Sequence, residues 1–148
     1  MIYRRTRVAS SVVLLVFCEV AFAGLMQHSE TTIPLPTPGE KTPLSKLEYR
    51  ARFVAAIDSV TLEMEGAEGA DPVVARWIFS GSNSDGQAHR VEVVARLLDE
   101  TGKQLAVYST RSILPPGAHD HKVTLSTKVS ADAWKAARKV RIFADWMS

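Results

Sequence analysis

The chain has 148 residues, 46% of them hydrophobic and 23% charged, with 18 Lys and Arg against 16 Asp and Glu for a formal net charge of +2. That length supports one apolar core, and the near balance of charge excludes the basic excess that binding to a phosphate backbone requires, so no nucleic-acid partner is expected. A single cysteine, Cys18, excludes an internal disulfide.

Arg4, Arg5 and Arg7 lead into an apolar run over residues 8–17, and Ala21-Phe22-Ala23 follows. This is the order of a positive n-region, a short h-region and a small-x-small cleavage site, so residues 1–23 read as a signal peptide cut before Gly24. The expected product is exported, periplasmic or secreted. The apolar run is shorter than the about 20 residues of a spanning helix. Leu15-Val16-Phe17-Cys18 offers a second reading as a lipobox, with Phe17 where a small residue is usual, and membrane attachment is expected only if Cys18 is lipidated. Removing Arg4, Arg5, Arg7 and Glu19 with the leader leaves 15 basic and 15 acidic residues, a neutral mature chain.

In residues 24–44, Pro34, Pro36 and Pro38 alternate with Ile33, Leu35 and Thr37, and Pro43 follows. Alternating prolines remove backbone donors and favour polyproline II, which predicts an extended linker before a domain over 45–148. Residues 45–58 alternate as a strand would, through Leu47, Tyr49, Phe53, Ala55 and Ile57, while Ser45 with Glu48 resembles a helix capping box. The strand is the favoured reading. Val60, Leu62 and Met64 then line one face of a half-buried strand. After the turn-rich residues 66–72, Val73, Ala75, Trp77 and Phe79 line another, ending in the turn formers of 81–86. Further strands are predicted over 90–99, 104–113 and 119–127. Ser130 should cap a short helix carrying Trp134, and a last strand runs through Val140, Ile142, Ala144 and Trp146.

Six or seven short strands without alternating helices predict an all-β fold, an antiparallel two-layer sandwich with one short helix before the last strand. Trp77 and Trp146 are in phase with aliphatic neighbours and are assigned to the core. Trp134, on an amphipathic helix near one end of the sandwich, is the candidate partner contact. Residues 104–113 are expected to form an edge strand, since Ser109, Thr110, Arg111 and Ser112 keep them polar.

Gly81-Ser82-Asn83 closing one strand, the turn Leu97-Leu98-Asp99-Glu100-Thr101-Gly102-Lys103, and Leu114-Pro115-Pro116-Gly117 before the next strand together form a recognisable pattern. Over residues 74–125 the chain resembles the immunoglobulin-like modules of bacterial envelope proteins, in particular the FxLYD-type domain. It keeps Leu97 and Asp99 of the name-giving motif and has Ala95 and Leu98 in place of its two aromatics. The resemblance implies a binding or spacer module without catalysis.

For chemistry, His119-Asp120-His121 is the candidate metal site. Residues two apart on a strand point the same way, so His119 and His121 could share Zn²⁺ or Cu²⁺, with His89 as a third ligand. Gly-x-Ser-x-Gly, a phosphate loop, His-Glu-x-x-His and a cysteine nucleophile in the mature chain are all absent, so no enzyme and no cofactor are expected. The resulting expectation is an exported, non-catalytic binding or structural module of the cell envelope, acting by protein–protein interaction with an envelope protein or surface component. The alternatives are a carbohydrate-binding module and a metal-binding periplasmic protein using His119 and His121.

Overall fold

In the computed structural model, which describes residues 26–49 and 54–147, the chain forms nine strands and one helix among the described residues. They are β1 (Met26–Pro34), β2 (Lys41–Pro43), β3 (Glu48–Tyr49), β4 (Ala55–Glu65), β5 (Val73–Asn83), β6 (His89–Leu98), β7 (Gln104–Leu114), β8 (His121–Val129), α1 (Ala131–Ala136) and β9 (Lys139–Met147). One sheet has the order β1-β9-β6-β7. The other runs β2-β4-β5-β8, with β3 also paired to β4, and every pairing is antiparallel.

This is the expected antiparallel sandwich with a short helix before its last strand. Strands β4, β5 and β8 stand in the A-B-E order of an immunoglobulin sandwich and β6 and β9 in its C-F order. The place beside F, where such sandwiches put strand G, is filled here by β1 from the other end of the chain.

That pairing corrects the linker expectation over 24–44. Met26–Pro34 pairs with β9 along its whole length, from Met26 opposite Met147 to Pro34 opposite Lys139. The prolines begin only at Pro34, so the preceding residues keep their donors, and Thr31, Thr32 and Ile33 are β-branched. Pro34 ends the strand at a sheet edge, where a missing donor costs little. Ile33 and Leu35 pack against the core, Pro36 is buried, and the Leu35 N–H donates to the Arg138 carbonyl at 2.9 Å. Lys41–Pro43 then joins the second sheet opposite Ser59–Thr61. The signal-peptide reading of residues 1–23, with Cys18, lies outside the described residues.

Two apolar phases in the sequence turn out to be one strand. Ala55 and Ile57 are buried on odd numbers and Val60 and Leu62 on even ones, and β4 changes phase through a bulge between Ile57 and Ser59 opposite β5. The described parts of 45–58 are extended rather than helical, and residues 50–53 of that stretch lie outside the description. The expected tight turn after β6 is built on Asp99. Its carboxylate accepts from the Thr101 N–H and the Lys103 N–H, both at 2.9 Å, and Gly102 takes φ +89°.

The core lies between the sheets, where Leu62, Trp77 and Phe79 face Val93, Ile142 and Trp146. Trp77 and Trp146 are 1% and 0% exposed, as their phase predicts. The Trp77 Nε1–H donates to the Thr127 hydroxyl at 3.1 Å, which in turn reaches the Ala75 carbonyl at 3.3 Å. This chain of bonds satisfies the one polar atom that the indole carries into the core.

Candidate functional site

Helix α1 owes its place to two caps. The Ser130 hydroxyl accepts from the Ala133 N–H at 3.2 Å, as the sequence predicts. A second bond, from the Ala131 N–H to the Asp71 carboxylate at 3.2 Å, ties the helix start to the loop between β4 and β5. Together they hold Trp134 over that loop, half-buried and packed against the edge of the core. At the other end, the Ala137 N–H bonds back to Ala133 and the Arg138 N–H to the Leu98 carbonyl, which fixes the helix between the two sheets' ends.

Between Trp134 and the loop lies a cleft of about 470 Å³. One wall is Trp134 with Ala131 and Lys135; the other is Met64, Glu65 and the 66–70 turn, with Val73 beside them. Gly66 and Gly69 hold φ of +86° and +81°, the left-handed region that lets the turn fold away from the helix and leave the space open. Met64 sits on the inward phase of β4, yet the strand ends there and the side chain is left 40% exposed. Thioether, indole and aliphatic groups thus share a concave surface whose rim carries Glu65, Glu68 and Lys135. Such a surface can take up an apolar side chain and orient a polar neighbour at the rim. Trp134 was visible in sequence as an amphipathic helix residue. Asp71 and Met64 were not, because their roles depend on how the loop folds against α1.

The histidine cluster is arranged differently from the strand reading. Asp120 has φ +52° and β8 begins only at His121, so the two-apart, same-face rule does not relate His119 to His121. His119 lines a shallow hollow of about 540 Å³ with Lys41, Asp58, Ser80, Ser82 and Asp120, and His121 is not part of that lining. His89 is elsewhere, 2% exposed at the start of β6, with its Nε2 2.8 Å from the Asp85 carboxylate and its ring 4.5 Å from that of Tyr49. Among the described residues no three His, Cys, Asp or Glu side chains converge as a metal site would need.

Asp120 is nonetheless well anchored. The Lys122 ammonium, at 2.7 Å, and then the Ser80 hydroxyl, at 2.5 Å, donate to its carboxylate and hold its pKa down to about 2. The carboxylate therefore stays charged through the neutral range and pins the start of β8 to β5. The strand expected at an edge, β7, does lie at one: it pairs with β6 alone, and its Val107 and Ile113 are 49% and 52% exposed.

No family model matches the chain, and no curated protein matches it. Among solved structures, the chain is similar to the enzymatically active domain of tailspike protein 4 of bacteriophage CBA120, with 15% identity and a TM-score of 0.26. The match covers 84% of this chain and 17% of that one.

Proposed function

We propose that the chain is an exported, non-catalytic binding module of the cell envelope whose partner is another protein, gripped through the Trp134 cleft. The observation that carries this reading is the cleft itself. A half-buried indole and an exposed thioether line one concavity at one end of a sandwich, together with Glu65, Glu68 and Lys135. An apolar surface with charged neighbours is what small protein-recognition sites use, which supports the reading. The export half of the proposal rests on the order of basic, apolar and small residues over 1–23, and the family resemblance over 74–125 supports a role without chemistry.

The site predicts its partner's chemistry: an apolar side chain flanked by a basic residue to meet Glu68, since Glu65 already pairs with Arg76 at 3.6 Å. The test is in two steps. A photo-crosslinking amino acid at Ala131, on the cleft wall, identifies the neighbour in the native envelope. Affinity is then measured with the purified neighbour. Trp134→Ala should weaken binding at least tenfold, about 1.4 kcal/mol, while His119→Ala stays within twofold of the parent. Equal affinity of Trp134→Ala and the parent would sink the proposal. Retardation in polysaccharide gels that disappears in the same variant would replace the protein partner with a glycan.

A further inference from the structure

The outer face of the β1-β9-β6-β7 sheet is a grid of cross-strand rows. One row reads His28, Asp145, Glu92, Arg111, and its charges are paired: His28 bonds Asp145, and Arg111 Nε lies 3.1 Å from the Glu92 carboxylate. Two rows along, Arg96 and Arg141 stand directly opposite each other on β6 and β9. Both are exposed, and among the described residues neither has a carboxylate within 4.0 Å. Like charges facing each other across a pair of strands are unfavourable. Glu92 and Asp145 also stand opposite each other, but each has a basic partner, Arg111 and His28, whereas Arg96 and Arg141 have no such partner among the described residues.

Neither guanidinium is loose. Arg96 lies over the Phe143 ring, 4.7 Å from its centroid, and Arg141 Nε donates to the Thr32 hydroxyl at 3.4 Å. Lys139, also exposed and without a carboxylate partner among the described residues, precedes Arg141 on the same face of β9. We propose that Arg96 and Arg141 form a binding site for a single phosphate group, with Thr32 and Lys139 at its border. Two forked guanidiniums on a fixed sheet can each present paired N–H donors to one tetrahedral dianion. The site is limited to one group, because carboxylates stand behind it: Glu30 one row back on β1, opposite Phe143, and Asp145 and Glu92 four residues back along their strands, about 13 Å away at strand spacing, all of which would repel a phosphate polymer.

The test uses inorganic phosphate as the probe, at constant ionic strength, followed by amide NMR and by thermal unfolding. The expected result is a saturable shift confined to residues around Thr32, Arg96 and Arg141, weakened at least tenfold in Arg141→Gln and unaltered in Arg111→Gln. Arg141→Glu should melt higher than the parent in phosphate-free buffer, since it replaces repulsion with attraction, and should lose any phosphate-dependent rise in melting temperature. A shift that does not saturate, one that survives Arg96→Gln with Arg141→Gln, or a lower melting temperature for Arg141→Glu would each overturn the proposal. Trp134→Ala should leave phosphate binding intact, so this site and the cleft stand or fall separately.

Discussion

Asn83 shows how much one side chain can hold. It is 0% exposed, and its amide nitrogen donates to three carbonyls, of Gln87 at 2.8 Å, Leu114 at 3.0 Å and Pro115 at 3.1 Å. Its side-chain oxygen accepts from the Asp85 N–H at 2.9 Å. Two amide hydrogens are thus shared among carbonyls from the turn after β5 and from the end of β7, joining chain segments about thirty residues apart. Read in sequence, Asn83 was one turn former among several; its buried bonds depend on where β7 ends. Removing the amide leaves buried acceptors without donors, so Asn83→Ala should cost about 3 kcal/mol in urea unfolding. Asn83→Asp should cost at least as much near neutral pH, because it turns an acceptor towards acceptors. A loss below about 1 kcal/mol in Asn83→Ala would show that water replaces the amide without penalty.

At the scale of elements, the strands are tied by their edges in unequal ways. The edge of β8 is partly covered, because the Tyr108 hydroxyl of β7 donates to the Lys128 carbonyl. Strand β7 itself stays open and carries Arg111 at its middle, a charge that discourages a second strand from adding there. The edge of β9 is the one most in need of cover, since Val140, Ile142, Ala144 and Trp146 behind it are all fully buried. Strand β1 provides that cover. A chain beginning at Leu35 should therefore lose about 2 kcal/mol or more, from the packing of Ile33 and the ladder to β9, and melt roughly 8 °C lower. It should also self-associate at concentrations where the longer chain stays monomeric, because β9 becomes an unprotected edge. If residues 24–34 were a spacer, the truncation would change neither property, and differential scanning calorimetry with light scattering decides between the two.

For the molecule as a whole, what could be read in advance follows from what a period of two encodes. Alternation names the buried face of a strand, so β4 to β9 and the inward Trp77 and Trp146 were legible. It does not name the neighbour, so the pairing of Arg96 with Arg141, the seating of β1 on β9 and the meeting of Met64 with Trp134 had no local signal. The prolines of 34–43 pointed to an extended linker, and could not say that residues 26–34 pair with β9 or that the chain turns at Pro38-Gly39 into β2. Since side chains of both sheets meet in a single cluster, neither sheet keeps an apolar face of its own to fold against. The two sheets should then unfold together. Trp146 reports on the first sheet and Trp77 on the second, so variants keeping one of them, with the other and Trp134 changed to Phe, isolate each signal. Each Phe change shifts stability by its own amount, so the comparison belongs within a variant: fluorescence of the retained tryptophan against far-ultraviolet circular dichroism. In both variants the two urea curves should superimpose in midpoint and slope, and a retained tryptophan that reports a transition apart from the backbone signal would mean that one sheet survives without the other.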